Sequence, residues 1–348
     1  MKKIRKHKWL LFIVLIICLT LTALGGSRHK EDQYIHVGIA VYDLDDTFMN
    51  SLITALENRI DEVHMKKKIS YEICDAKGNS RRQNKQLQYM YTQSYDMMLV
   101  NLVDPSSAAS VLNNAKELDI PVILFNRDIA EKDLKITDNV WYVGTDASQA
   151  GQIQGEMLHK IWNQQRNRVD KNKNGKIDYV LIEGEEDHYD AIRRTKGFLE
   201  NSKDLPLNTL GTLSASWNRQ LAYKKFSQLD NNAISSTEAV ICNNDDMALG
   251  VYDYYKEKNL ALPVILGINN SQEMNEKIMS GEIYGSVDND MDNQVLRIVK
   301  CMESVLNGNT KKYKKVWYST PYAVTRPELQ AETGNKKINF EYPQTTGE

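Results

Sequence analysis

Residues Asp96 to Asn126 read DMMLVNLVDPSSAASVLNNAKELDIPVILFN. A short apolar run ends in Asn101. An amphipathic segment, SAASVLNNAKEL, follows, and a second apolar run, PVILF, ends at Asn126. Apolar runs of this length bounded by polar residues read as buried strands, and the segment between them as a helix. Parallel strands need a long crossover where antiparallel ones need only a turn, so strand, helix and strand in about thirty residues point to a parallel pair.

The same alternation extends in both directions. Upstream lie HVGIAVY, a helical pattern from Phe48 to Val63 with Met49, Leu52, Ile53, Leu56 and Ile60 at three- and four-residue spacing, then SYEIC and RRQNKQLQYMYTQ. Downstream the strands are WYVG, DYVLIEG, EAVIC, PVILGI and EIYGSV, interleaved with helices such as QAGQIQGEMLHKIW and DMALGVYDYYKEK. The fold class is therefore α/β, with parallel sheets covered by helices on both faces. So many strands in 348 residues exceed one comfortable sheet. Two similar α/β lobes are the natural partition.

Composition narrows the function classes. Hydrophobic residues make up 41% and charged residues 26%, with a formal net charge of −2, so no global basic field points to nucleic acid. Residues 1–26 combine a basic start, MKKIRKHK, with an apolar run from Trp9 to Leu24. That is either a cleavable signal peptide or an uncleaved membrane anchor, and both imply export. No small residue directly precedes Cys18, which argues against lipid modification there. Cys74, Cys242 and Cys301 are isolated and odd in number, and read as small buried hydrophobes. Residues 27–34 form a polar linker.

The strand ends carry the functional signal. They finish in VYDLDD, LVNLVDP, LFNRD, VGTDAS, GEEDHYD, ICNNDD, GINNS and VDNDMDN. In open parallel sheets ligands bind beyond the carboxyl ends of the strands. A crown of Asn, Asp and His there suits a ligand rich in hydroxyls, which both donate and accept. Asn and Asp also serve as N-caps and turn residues at such junctions, so the repetition along the chain is what weighs.

A separate motif lies at Asp170 to Asp178, DKNKNGKID. Oxygen-bearing residues at positions 1, 3, 5 and 9, with Gly175 at position 6, match the start of an EF-hand-type calcium loop. The bidentate Glu expected at position 12 is replaced by Leu181. A plain Asn/Lys-rich turn remains the alternative.

Taken together, DDTFMN, LVNLVDP, YVGTDASQAGQIQGE, DKNKNGKID, GEEDHYDAIRRT, ICNNDDMALG and GSVDNDMDNQ resemble, in order and spacing, the galactose/glucose-binding protein family of bacterial periplasmic sugar-binding proteins. The resemblance runs from about Ile35 to about Arg326. It implies a type I periplasmic binding protein fold, two similar Rossmann-like lobes with a three-segment hinge. The lobes would comprise residues 35–125 plus 292–317 and residues 127–289 plus 319–340, with crossings near Asn126, Asp290 and Tyr318.

The resemblance also implies residue roles. Sugar contacts fall on Asp46, Phe48, Asn101, His188, Asp190, Arg194, Trp217, Asn244 and Asn289. Asn269 stands where the family has Asp, which bears on the choice of sugar. The family completes its calcium loop with a distant Glu, here Glu238. The implied metal set is Asp170, Asn172, Asn174, the Lys176 carbonyl, Asp178 and Glu238, binding a structural Ca²⁺. Physical chemistry supports the sugar pattern, since Phe48 and Trp217 offer flat apolar faces to a pyranose while the charged groups bond its hydroxyls.

The expected function is an exported monosaccharide-binding protein, a monomer and not an enzyme, that closes on a glucose- or galactose-like sugar and delivers it to an ABC importer. A sensing subunit for a membrane receptor is the alternative. A glycosidase built on Asp45, Asp46 and Asp190 is the less favoured rival. A DNA-binding repressor would need an N-terminal helix-turn-helix where this chain has its export segment.

Overall fold

Twelve strands and ten α-helices make up the described part of a computed structural model, residues 34–326 except 64, 66, 311 and 312. The expected export segment, most of the linker and residues 327–340 lie outside the described residues. The strands form two sheets of six. The first contains β1 (Tyr34–Val41), β2 (Lys68–Asp75), β3 (Met97–Val100), β4 (Val122–Asn126), β5 (Val140–Thr145) and β11 (Val316–Ser319). Their order is β11-β5-β4-β3-β1-β2, all parallel. The second contains β6 (Ile177–Glu183), β7 (Leu207–Ser214), β8 (Ala239–Cys242), β9 (Val264–Ile268), β10 (Gly285–Asp288) and β12 (Tyr322–Thr325). Its order is β12-β10-β9-β8-β6-β7, and only β12 runs antiparallel.

The two orders are the same arrangement used twice, apart from the direction of the edge strand, parallel for β11 and antiparallel for β12. The central strands read as continuous apolar runs because helices cover both faces. In the first lobe, α1 (Thr47–Asp61) and α10 (Met291–Leu306) close one face with Met49, Leu52, Leu56, Ile298 and Met302. The opposite face is closed by α2 (Ser80–Tyr91) and α3 (Ala108–Glu117), through Leu87, Met90, Val111 and Leu112. In the second lobe, α4 (Ala147–Gln164) and α5 (Tyr189–Asn201) cover one face. The other is covered by α6 (Arg219–Phe226), α7 (Asn231–Ser236), α8 (Asp245–Glu257) and α9 (Gln272–Met279).

The lobe boundary expected near Asn126 is corrected. β5, VWYVGT, is buried throughout and pairs with β4, Val122 opposite Val140, and with β11. It belongs to the first lobe, and the chain crosses only after Thr145. The sequence misleads here because residues 127–139 carry no α-helix, only a 3-10 turn at Asp133–Lys135, so the alternation looks interrupted. The other crossings fall near Asn289 and between Ser319 and Tyr322. All three converge on one atom. The Asn289 carbonyl accepts from Thr145 Oγ1 (3.2 Å), Ser319 Oγ (2.7 Å) and Gln294 Nε2 (2.8 Å).

Among the described residues Cys74, Cys242 and Cys301 are free thiols, the latter two buried. No described helix is long and apolar enough to cross a membrane.

Candidate functional site

Each lobe turns the carboxyl ends of its strands toward the other. Strand order reverses between β1 and β3 in one lobe and between β6 and β8 in the other, the topological switch points where α/β sheets hold ligands. A cleft of about 380 Å³, counting its open mouth, lies there and is lined from both lobes.

The first lobe supplies Tyr42, Asp46 and Phe48 after β1, and Asn126 and Arg127 at the end of β4. Asp46 caps α1, its Oδ1 accepting from the Met49 N–H at 2.7 Å, which fixes the carboxylate at the cleft edge. Arg127 is buried, its guanidinium 3.8 Å from the centre of the Tyr42 ring, and its Nη1 donates to the Val103 carbonyl at 2.6 Å. Its Nη2 reaches Glu185 of the other lobe at 3.3 Å. A second bridge between lobes runs from Thr47 Oγ1, the donor, to Asp246 Oδ1 at 3.0 Å.

The second lobe supplies His188, Asp190, Arg194, Trp217, Asn244 and Asn269. His188 caps α5, with Nδ1 accepting from the Asp190 N–H at 3.1 Å. Burial, with Arg127 and Arg194 nearby, pulls its pKa down to about 3, so the ring is neutral. With Nδ1 the acceptor, the proton sits on Nε2. Burial pushes Asp190 up to about 6, against the opposing pull of Arg194. Arg194 is anchored by Nη1 to the Asn243 carbonyl at 2.6 Å. Its helix lies tight against α4, where a Cβ on Gly151 would stand 1.9 Å from the Arg194 carbonyl oxygen.

Trp217 sits between β7 and α6 with φ +63°, and Ser216 before it has φ +47°. A bulky residue in the left-handed region costs energy that its surroundings must hold. Its ring meets His188 edge-on at 5.3 Å and lies over the backbone of Gly184, where a Cβ would come within 2.2 Å of the indole. Asn244 caps α8 and donates to the Trp217 carbonyl at 3.1 Å, which fixes the loop. Asn289 donates from Nδ2 to Asn269 Oδ1 at 2.9 Å.

His188 Nε2, Asp190 Oδ1, Arg194 Nε, Trp217 Nε1 and Asn289 Oδ1 are all buried and have no hydrogen-bond partner among the described residues. Buried polar atoms are nearly always paired, so this cluster needs an explanation. Of these, His188, Arg194 and Trp217 (donors) and Asp190 (acceptor) line the cleft, while Asn289 stands behind Asn269. The cleft thus presents both donors and an acceptor, the complement of hydroxyl groups.

The cleft brings together Asp46, Phe48, His188, Asp190, Arg194, Trp217, Asn244 and Asn269 from the expected sugar set, and Asn289 stands behind Asn269. Asn101 does not reach it. That residue is fully buried, with Oδ1 accepting from the Tyr42 N–H (3.2 Å) and Nδ2 donating to the Phe125 carbonyl (3.0 Å), so it holds Tyr42 and the end of β4 in place. Tyr42, Asn126 and Arg127 also line the cleft. The motifs VYDLDD and LFNRD mark their junctions, but the resemblance assigns these three no role.

The loop at Asp170–Asp178 leads into β6, away from the cleft. Glu238 does reach it. Its Oε1 accepts from the Lys171 N–H and, at 3.2 Å, from the Asn172 N–H, while Oε2 accepts from the Asp178 N–H at 3.2 Å. Gly175 takes φ +76° and donates to Asp170 Oδ1 at 3.0 Å. Asn172 and Asn174 turn their Nδ2 groups to Asp178 Oδ2, at 2.7 and 3.0 Å, and Asn174 Oδ1 accepts from the Lys176 N–H at 2.7 Å. Among the described residues no three His, Cys, Asp or Glu side chains are grouped to hold a metal. The donor types suit a hard cation such as Ca²⁺. Binding one would require the two Asn side chains to present oxygen where they now present nitrogen.

Two lobes of this topology, joined by three crossings around a polar cleft, define a type I periplasmic binding protein. The chain belongs to the periplasmic binding protein family, among the sugar-binding proteins of bacterial ABC importers: residues 37–310 match the family model described as periplasmic binding protein domain. It is 30% identical over 316 residues, 90% of this chain and 94% of the relative, to the D-galactose/methyl-galactoside binding periplasmic protein MglB of Haemophilus influenzae. It is 20% identical, over 88% of this chain and 95% of the relative, to the ribose import binding protein RbsB of Salmonella typhimurium. Among solved structures, an ABC transporter solute binding protein from Bacillus halodurans with bound myo-inositol superposes with a TM-score of 0.72. That match is 22% identical and covers 87% of this chain and 98% of the other.

Proposed function

We propose that this chain binds a monosaccharide of the glucose/galactose type outside the cytoplasm and presents it, lobes closed, to the permease of an ABC importer. The observation that carries the reading is the set of unpartnered buried polar atoms beside the Phe48 and Trp217 rings. The relative named for D-galactose and methyl-galactoside supports the sugar class. A sugar ring between the two aromatics would bury its apolar faces, and its hydroxyls would satisfy the orphaned groups. Because the cleft draws on both lobes, the ligand binds the closed form better and shifts the population toward it. The chemistry is recognition without bond cleavage. Titration of the purified protein with glucose, galactose, ribose, xylose and myo-inositol, followed by calorimetry and Trp fluorescence, tests the reading. No heat and no fluorescence change with any hexose would overturn it.

Two further features belong to the same proposal. The basic-then-apolar segment 1–26 exports the chain, and N-terminal sequencing of the exported protein separates a cleaved signal from a retained anchor. A Ca²⁺ ion held by Asp170, Asn172, Asn174, the Lys176 carbonyl, Asp178 and Glu238 staples the loop to the strand that follows Glu238. The support is that Glu238, 60 residues beyond Asp178, bonds this loop through both carboxylate oxygens.

A further inference from the structure

A second cavity, about 1,140 Å³ against 380 Å³ for the first with the open mouth counted in both, adjoins the sugar cleft, and Phe48 and Asn269 line both. It is bounded by the first turns of α1 and α10, by α9 and by Tyr322 at the start of β12. Like the first cavity it draws on both lobes.

We propose that this cavity is a second subsite, which takes the second hexose of a neutral disaccharide whose first ring fills the sugar cleft. The inference rests on the monosaccharide reading above and extends it from single sugars to glycosidically linked pairs. Because Phe48 and Asn269 border both spaces, a ligand that passes beside these two side chains spans them. The second space is the larger of the two, so a whole further ring has room. Its lining carries polar groups on both sides, Ser51 on the first lobe and Gln272, Asn275 and Tyr322 opposite. Ser51 Oγ donates to the Thr47 carbonyl (2.9 Å), Gln272 Nε2 to Glu276 (3.0 Å) and Asn275 Nδ2 to Asn270 (2.9 Å). It is therefore the space, and not unpaired groups, that marks the subsite, and a sugar would bond these groups by exchanging partners.

Charge fixes the class of the second ring. Glu276, Asp288, Asp290 and Asp292 line the cavity, and no Lys or Arg is among its described lining residues. Asp288 is already engaged by Asn270 Nδ2 (2.8 Å) and the Asp290 N–H (2.7 Å), while Glu276 and Asp292 are exposed. A phosphate or carboxylate entering would meet like charges with no counter-ion, whereas hydroxyls would meet acceptors. The subsite therefore admits a neutral hexose and rejects sugar phosphates and uronates.

The test is calorimetry of the full chain with galactose, glucose, lactose, melibiose, maltose and glucose 1-phosphate. At least one disaccharide is expected to bind about tenfold more tightly than its parent sugar, the gain from one or two added hydrogen bonds. Glucose 1-phosphate is expected to bind more weakly than glucose. Ser51→Trp, which fills the subsite from an exposed position on α1, should remove the disaccharide gain and leave the parent sugar unchanged. Asp292→Lys should narrow the gap between glucose 1-phosphate and glucose. If monosaccharides bind while every disaccharide binds equally or less tightly, or if Ser51→Trp keeps the gain, the subsite is wrong and the monosaccharide reading stands. Tight disaccharide binding with no monosaccharide binding would support the subsite and overturn the narrower reading. Failure of every sugar overturns both.

Discussion

The cleft and the Asp170–Asp178 loop are both built from Asn, Asp and neighbouring polar residues, yet they dispose of their polar atoms in opposite ways. In the cleft, buried donors and acceptors are left without partners among the described residues. In the loop, the same residue types bond one another and the local backbone, and Glu238 alone takes the N–H groups of Lys171, Asn172 and Asp178. The difference lies in how they are rooted. Cleft residues come from strand ends and helix starts of both lobes. Although His188, Asp190 and Arg194 share α5 and its cap, and a few cleft groups bond one another, the scaffold keeps the orphaned atoms out of each other's reach. Loop residues are near neighbours in sequence, so short side chains find backbone groups a few positions away. Unpaired groups that converge on one cleft signal a ligand site, where single ones elsewhere, such as Trp141 Nε1 and Gln154 Oε1, do not. Groups that satisfy themselves give no such signal, and a metal there must displace existing bonds.

The strongest test of that contrast is Trp217→Ala. It removes an aromatic wall and one orphaned donor, and truncations of buried aromatic anchors cost ~2–4 kcal/mol in binding. Sugar affinity measured by calorimetry should fall by about a hundredfold. Trp217→Phe, which keeps a ring face and loses the N–H, should retain part of the affinity. If Trp217→Ala binds normally, the indole is a packing residue against His188 and the orphaned atoms need another explanation.

The loop is tested next, by removing metal. A ligand at about a hundred times its Kd stabilises the fold by ~2.7 kcal/mol, a shift in Tm of about 5 °C for a protein of this size. A chelator should lower Tm by that amount in scanning calorimetry, and Glu238→Gln should remove the dependence on Ca²⁺. Unchanged melting in chelator would mean that the internal hydrogen bonds suffice, and would sharpen the contrast between the two regions.

How much of each region is legible in the sequence follows from the same physics. The apolar runs and strand ends disclose the repeated α/β topology, because buried parallel strands leave little choice of composition. β7, β11 and β12 are harder to see: β7 is a half-buried edge strand containing Gly211, and the other two have four residues each. Position along the chain discloses the cleft, but not which residue of a junction faces inward. Asn101 and Tyr42 show this. Both follow strands of the crown, yet Asn101 is consumed by two backbone bonds and Tyr42 lines the cleft. The first lobe crossing is hidden because β4 and β5 are joined without an α-helix, and only pairing assigns β5 to its sheet.

Protonation tests the cleft more gently. Asp190 titrates near 6, raised by burial and restrained by Arg194, with Asp128, Arg127 and Arg193 also acting on it. A carboxylate accepts hydroxyl bonds that its acid form accepts less well, so the ligand prefers the ionised state. Affinity should be level above about pH 7 and weaken below about 6, by up to about tenfold per pH unit. His188 stays neutral down to about 3 and adds no titration in this window. Asp190 contributes to folding in the opposite sense. Its folded pKa lies above the unfolded value near 4, so the fold binds more protons than the unfolded chain. This contribution to stability falls as pH rises from about 4 to 6 and is flat beyond. Asp190→Asn should flatten the binding profile. An unaltered profile in that variant would assign the effect to Asp246 or Asp245, which burial raises to about 6 and about 7 respectively.

The smallest expected change is at Asn269, where the side chain differs from an aspartate by one group. Its Oδ1 accepts from Asn289 Nδ2, and its N–H is bonded to the Val287 carbonyl at 2.7 Å, so the backbone and half of the side chain are held as they would be in Asp. Asn269→Asp exchanges a neutral amide donor for a charged acceptor at the border of both cavities. A charge-assisted bond is stronger than a neutral one by roughly 1 kcal/mol, so the ratio of glucose to galactose affinity should move by about fivefold. Overall affinity should change less, because the other cleft contacts are untouched. Measuring both sugars on both proteins isolates the effect. Identical ratios would mean that Asn269 meets the ligand only through groups it has in common with Asp, and that sugar choice is set by the residues held apart on α1, α5 and α8.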